Sequence, residues 1–337
     1  MQIDSCRVSV IIPVYNSIGT LRRAVRSALD QTLADSEIVI VDDGSTDDSL
    51  ALAYQLAQED RRVRVIALPA NHGKSHAMNT AIADTRGTWI AILDADDWYQ
   101  RDRLATLITA GEANGIDLVA DNQYCHDAAA GCVVGIALPV DRPDTLLTKK
   151  VFIRGCNAFA SFNLGMLKPV LRARFIRRVG LAYRENARLG EDFLYLTEFF
   201  AAGGMGLLLS QPLYNWTQSF GSISRQWTTT GAGGWRYDFR SALQANAEVR
   251  DALRQRGESA LVDLLAARGR AYANLHHLTE ISRLRAEGAS SLQVLDAVAR
   301  HPAIWPELAR RLLQSVTLRL RQSGARGDSA SVQTRAG

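Results

Sequence analysis

The stretch Trp89-Ile90-Ala91-Ile92-Leu93-Asp94-Ala95-Asp96-Asp97-Trp98 runs an apolar strand straight into three carboxylates. Clustered acids at the end of a buried strand are costly unless a cation sits among them. A divalent metal holding a diphosphate suits such a place, because hard cations take oxygen ligands and leave positions open for substrate phosphates. The plainer reading is a strand, an acidic turn and a helix cap. The segments around this stretch decide between the two.

Upstream, strand and helix signals alternate. Val8-Ser9-Val10-Ile11-Ile12 is a β-branched run closed by Pro13, and Leu21, Ala24, Val25, Ala28 and Leu29 follow at helical spacing. Glu37 to Val41 reads as a second strand ending at Asp42-Asp43-Gly44, and Leu52, Ala53, Leu56 and Ala57 mark the next helix. Val63 to Leu68 is a third strand, Ala77, Met78, Ala81 and Ile82 a third helix, and Thr88 to Leu93 the fourth strand. This βαβαβαβ order predicts a doubly wound, mainly parallel sheet of an α/β fold, with helices on both faces. Ligands of such sheets bind beyond the carboxyl ends of the strands. Three of those ends are polar here: Pro13-Val14-Tyr15-Asn16, Asp42-Asp43-Gly44-Ser45 and Asp94 to Asp97. Their convergence predicts one nucleotide-type site.

Downstream the pattern changes. Asp117 to Ala120, Cys132 to Leu138, Leu207 to Leu209 and Pro212 to Trp216 read as strands among loops. Trp227 to Trp235 is Thr- and Gly-rich and reads as a loop or hinge. Helical patterns then run from Tyr237 to Arg254, Ser259 to Arg285, Ser291 to Arg300 and Pro306 to Arg321. The expected organisation is a catalytic domain over 1–225, with a donor half at 1–115 and an acceptor half at 116–225. A helical C-terminal extension over 236–322 and a disordered tail at 323–337 follow.

Three of these segments together resemble the opening of family 2 glycosyltransferases with the GT-A fold. They are Val8 to Asn16, Val41-Asp42-Asp43-Gly44-Ser45-Thr46-Asp47-Asp48-Ser49 and Leu93 to Trp98. Asn71-His72-Gly73 with Ala77 and Asn79, and Gly190-Glu191-Asp192, match further motifs of that family. The resemblance covers residues 8 to about 220 and is nearest to bacterial succinoglycan-type exopolysaccharide glucosyltransferases. It implies transfer of a sugar, glucose first, from a UDP-sugar to an undecaprenyl-diphosphate-linked glycan at the cytoplasmic face of the membrane. It implies a donor site built from Pro13, Tyr15, Asn16, Asp42, Asp43, Gly73, Asp94 and Asp96. Asp94 would lie near the ribose, and Asp96 would hold Mg²⁺ or Mn²⁺ on the diphosphate.

The residue types suit those roles, and each has a plainer alternative. Tyr15 can stack on a pyrimidine or simply pack. Asp42 can accept from the uracil imide N–H or serve as turn acid. Asp43 suits either job, and Gly44 would let backbone approach the ligand. Asp97 is a second metal ligand or a support and cap for the helix after it. Asp192, or else Glu191, would take the proton from the acceptor hydroxyl in an inverting displacement. Both also read as acids favouring a helix dipole.

Processive members of the family carry a Gln-x-x-Arg-Trp signature and membrane spans. Ser224-Arg225-Gln226-Trp227 departs from that signature, and no apolar run reaches the roughly 18–20 residues of a span. Transfer of one sugar at a time is expected. The helix Pro306 to Arg321 carries an apolar stripe of Ala309, Leu312, Leu313, Val316 and Leu320 with arginines largely off it. It either packs on its own domain or lies on an anionic membrane surface.

Other classes fit less well. A net charge of +4 without a basic stripe does not imply nucleic-acid binding, and none is expected. Cys6, Cys125, Cys132 and Cys156 lack metal-type spacing and read as reduced thiols of a cytoplasmic protein. A metal-dependent nucleotidyltransferase would show a Gly-rich basic loop after the first strand, where Pro13 to Ser17 stands. A non-catalytic binding module would not need Glu191-Asp192.

Overall fold

Residues 6–156, 162–218, 239–306 and 308–309 are described by a computed structural model. Strands β1 (Val8–Val14) and β2 (Ser36–Asp42) are buried along almost their whole length. That is why they read as continuous apolar runs rather than alternating ones. Helices α1 (Leu21–Leu29), α2 (Ser49–Glu59) and α3 (Lys74–Asp84) join them to β3 (Val63–Ala67) and β4 (Trp89–Ile92). All four strands are parallel, in the order β3-β2-β1-β4. Val10 and Ile12 face a core shared with α1, α2 and α4 (Arg103–Ala113). Ile11 faces the opposite core with Ala77, Met78 and Ala81 of α3.

The sheet continues past β4 as β9-β6-β10-β5. Here β5 is Trp98–Tyr99, β6 Leu118–Asp127, β9 Val170–Arg172 and β10 Gly206–Gln218. β6 and β10 run parallel to one another, while β9 lies antiparallel between β4 and β6. Two short strands, β7 (Cys132–Ile136) on β6 and β8 (Thr145–Leu147) on β10, complete a mixed ten-stranded sheet. This is the GT-A arrangement anticipated above.

One expectation is corrected. The segments expected at 207–209 and 212–216 are one strand, β10, whose register shifts on both sides of Pro212. Proline cannot donate to a ladder and is tolerated at a bulge. The two- and three-residue strands β5, β8 and β9 had no periodic signal to betray them.

Helices α5 (Lys149–Gly155), α6 (Ala173–Val179) and α7 (Glu191–Ala201) cover the α3 side of the sheet. Two compact units divide the chain. Helix α8 (Phe239–Gln255) and α9 (Ser259–Ala286) as far as Gly269 belong with the sheet, and Val249, Leu253, Leu261 and Leu265 join its core. Residues 270–309 form the second unit. It holds a small core of Leu278, Ile281, Val294 and Ile304, and α10 (Ser291–Ala299) begins at a Ser290/Gln293 capping box. Arg225, the stretch from Trp227 to Trp235, Leu312, Leu313, Val316 and Leu320 of the stripe, and the tail lie outside the described residues. No described helix is long and apolar enough to cross a membrane.

Candidate active site

The carboxyl ends of β1, β2 and β4 lie side by side, so the three polar clusters converge. Tyr15 is 46% exposed. Asn16 adopts φ +49°, a region asparagine tolerates. Its Oδ1 accepts from the Thr46 amide at 2.8 Å and so ties the β1 turn to the β2 turn. Asp42 is fully buried. Its Oδ1 accepts from the Ser45 amide at 3.0 Å, and its Oδ2 is a buried acceptor without a partner.

Asp43 is committed elsewhere. It accepts from the amides of His72 at 2.8 Å and Gly73 at 2.7 Å, and so pins the loop that starts α3. Gly44 serves the same loop. It has φ +69°, and a Cβ there would come within 2.6 Å of the Ala70 carbonyl carbon. The close approach seen at Gly44 is that of the protein's own backbone.

The acids meet two lysines that the sequence reading did not single out. Lys74, the first residue of α3, puts its ammonium 3.0 Å from Asp94 Oδ1, 3.1 Å from Asp192 Oδ2 and 3.2 Å from Glu191 Oε1. Lys168 Nζ lies 2.7 Å from Asp94 Oδ2 and 2.6 Å from Asp192 Oδ2. Glu191 and Asp192, about a hundred residues beyond the donor motif, thus reach Asp94 through shared cations. Glu191 and Asp192 are also the first turn of α7, the place the helix-dipole reading gave them. Burial works against the charge on Asp192, but the ammonium groups of Lys168 and Lys74 outweigh it and hold its carboxyl below the usual range. The same balance holds Asp94 ionised. Asp192 Oδ1 is buried and unpartnered.

The two signals for these lysines were local. Lys74 sits in the first turn of a helix, where a cation opposes the dipole. Lys168 is the one charge in the apolar run from Leu164 to Leu171. Cations placed so awkwardly point to acids nearby.

Asp96 and Asp97 divide sharply. Both oxygens of Asp97 are engaged by β10: the Tyr214 hydroxyl donates to Oδ2 at 2.6 Å and the Thr217 amide to Oδ1 at 2.7 Å. The N-cap of α4 is Asp102, so Asp97 caps no helix. Its contacts are those a support would make, and burial with the charges of Asp96 and Asp94 pushes its carboxyl well up. The Asp96 carboxylate receives no hydrogen bond or ion pair from another described residue. Burial first, then the charge of Asp94, pushes its carboxyl up as well. A cation would relieve both effects.

Among the described residues no group of three His, Cys, Asp or Glu side chains is arranged to hold a metal. A single carboxylate with the rest from phosphate and water still fits Mg²⁺-type binding. His126 is occupied by Asn215 Oδ1 at 2.9 Å, and the four cysteines are free thiols.

The family described as "Glycosyl transferase family 2" matches residues 9–131. Those residues belong to family 2 of the glycosyltransferases. Among curated proteins similar to this chain is the succinoglycan biosynthesis protein ExoO of Rhizobium meliloti, 37% identical over 65% of the chain and 62% of the relative. ExoU of the same organism is 29% identical over 94% of the chain and 90% of its own length. The match to ExoO thus spans under two thirds of that protein. Solved structures show the fold. TarS 1–349 of S. aureus in complex with UDP-GlcNAc has a TM-score of 0.58 at 17% identity, covering 72% of this chain and 65% of that 1–349 chain. A mannosyltransferase of Pyrobaculum calidifontis in complex with GDP-Man and Mn²⁺ has a TM-score of 0.54 at 17% identity, covering 94% and 81%.

Proposed function

We propose that the chain is an inverting glycosyltransferase that moves one sugar from a UDP-sugar, UDP-glucose first, to a lipid-linked glycan in exopolysaccharide assembly. The observation that carries this reading is the meeting of Asp94 and Asp192 across Lys74 and Lys168. A donor-side acid and a buried carboxylate with one free oxygen stand within reach of the same ammonium groups. The exposed ring of Tyr15 and the unpartnered Asp42 Oδ2 suit a uracil face and its imide N–H. Kinship with two succinoglycan biosynthesis proteins supports the exopolysaccharide setting.

Asp96 would hold a divalent cation together with the diphosphate. Such a cation offsets charge on the departing nucleotide diphosphate. Asp192 Oδ1 would accept the acceptor hydroxyl's proton while that oxygen attacks opposite the leaving group, which inverts the anomeric carbon. Glu191 is the second choice, because its carboxylate contacts Lys74 and lacks the buried free oxygen. The departure at Ser224 to Trp227 supports a single transfer. The stripe beginning at Ala309 supports contact with an anionic membrane at the cytoplasmic face. Vesicle flotation of the full chain against a chain cut before Pro306 tests that contact, which predicts binding of the full chain that weakens sharply with salt and weaker binding of the shorter one.

Incubation with UDP- and GDP-sugars, with Mg²⁺, Mn²⁺ or chelator, tests the reading. Nucleoside diphosphate release that needs metal and disappears in Asp96→Ala is the expected result. Pyrophosphate release would identify a nucleotidyltransferase instead, and binding without any release a non-catalytic module. Full turnover by Asp96→Ala in chelator would remove the metal assignment.

A further inference from the structure

We propose that Lys168 is a positioning residue for the transfer step, one ammonium that fixes the base Asp192 and the donor-side acid Asp94 relative to each other. This rests on the reading of Asp192 as the base.

The sheet delivers Lys168 to its place. In the antiparallel pair of β4 and β9, Val170 faces Ala91 and Leu171 faces Ile90. Two residues before Val170 the chain therefore passes the carboxyl end of β4, beside Asp94. The Lys168 residue is 8% exposed, and its ammonium touches Asp94 Oδ2 at 2.7 Å and Asp192 Oδ2 at 2.6 Å. A buried ammonium is held only where such partners compensate its lost hydration.

Its backbone is fixed from below. The Lys168 carbonyl accepts from Arg103 Nη2 at 2.5 Å. Arg103 is itself fully buried and grips Asp121 through both Nε and Nη2. The Lys74 side chain is 28% exposed and shared with Glu191, against 9% for Lys168. Lys168 is therefore the more enclosed member of the lysine pair.

The contact decides which oxygen reacts. Lys168 and Lys74 both occupy Asp192 Oδ2, which leaves Oδ1 buried and unpartnered. In the transfer, Oδ1 takes the hydroxyl proton as the acceptor oxygen bonds to the anomeric carbon and the bond to the nucleotide diphosphate breaks. Lys168 keeps its protons throughout. Its ammonium also lowers the basicity of Asp192, so the site gives up proton affinity for orientation.

The test uses the full chain with the nucleotide sugar that the wild type hydrolyses or transfers. Lys168→Met is expected to lower kcat on the order of 100-fold, the size of loss a small misplacement causes. Donor KM and UDP affinity by calorimetry should stay within about threefold. Asp192 is also faced by Lys74 of α3, Asp94 of the β4 turn, Tyr183, and Glu191 of its own helix. All remain in the variant. Loss of one ammonium then raises the Asp192 pKa, so the acid limb of the rate profile moves to higher pH.

Lys168→Arg keeps the charge but changes the contact geometry, so a roughly tenfold loss with an unmoved limb is expected. A kcat within threefold of wild type in Lys168→Met, with Asp192→Asn inactive, overturns the inference and leaves the base assignment standing. Should Lys168→Met not fold, a wild-type kcat in Lys168→Arg overturns it equally. Activity in Asp192→Asn would instead remove the reading on which the inference rests.

Discussion

The proposed donor half, 1–115, and acceptor half, 116–225, bring their residues to one place by different physics. The donor loops are tied by short hydrogen bonds between side chains and backbone amides: Asn16 to Thr46, Asp42 to Ser45, Asp43 to His72 and Gly73. The acceptor half contributes Lys168, Glu191 and Asp192, whose places depend on balanced buried charge. Asp121 and Arg103, one from each half, pair beneath them. Hydrogen bonds to neutral amides hold a loop whether or not substrate is present. A charge cluster of two ammoniums and three carboxylates responds to every change in charge. The donor side should therefore tolerate loss of a catalytic charge, and the chemistry should not.

The sharpest test of that contrast is Asp192→Asn. Transfer should fall by about 10²–10⁴-fold, the usual worth of a general base, with UDP affinity by calorimetry unchanged. A large loss of UDP affinity would mean that the two halves are not separable. Next is Arg103→Met, which leaves Asp121 buried without its partner and should cost about 3–5 kcal/mol in denaturant melts. The double variant Arg103→Met/Asp121→Leu should recover most of that stability, because nothing charged remains to compensate.

Asp43→Ala strips two loop amides of their acceptor. The Gly73 amide is buried, so a loss of about 1–3 kcal/mol is expected, together with weaker UDP binding. Unchanged UDP binding would show that the loop is held by something other than Asp43.

The smallest effect concerns pH. Burial pushes the Glu37 carboxyl up, but the Ser9 hydroxyl, the Arg86 amide and the Arg64 guanidinium outweigh it and hold it below its usual value. The unfolded group titrates near 4.3. Its contribution is therefore present above about pH 4.3 and is lost as pH falls through the lower folded value. Glu37→Gln should flatten that acid limb of the Tm profile, and an unaltered limb would assign it to other carboxylates.

The donor half was legible because its information is local. β1 to β4 are long enough to show β-branched runs, and their polar ends follow directly in the chain. The acceptor half was less legible. β9 has three residues, and what makes it a strand is pairing with β4 and β6 on either side. No spacing in the sequence links Lys168 to Asp94 or Asp192, since the contact exists only once β9 is in place. The division between Asp96 and Asp97 was equally hidden. Neighbouring acids of one type differ only because Tyr214 and Thr217 claim one of them.

The late arrival of β9 also bears on synthesis of the chain at the ribosome. β4 ends at Ile92, and its antiparallel neighbour begins at Val170, so about eighty residues must be polymerised before that edge is covered. At roughly 5–20 residues per second, the nascent β4 presents a bare row of amides and carbonyls for several seconds. A chain stalled within that window carries every donor motif yet no Lys168 and no Asp192. It would offer neighbouring polysomes an adhesive strand rather than an enzyme.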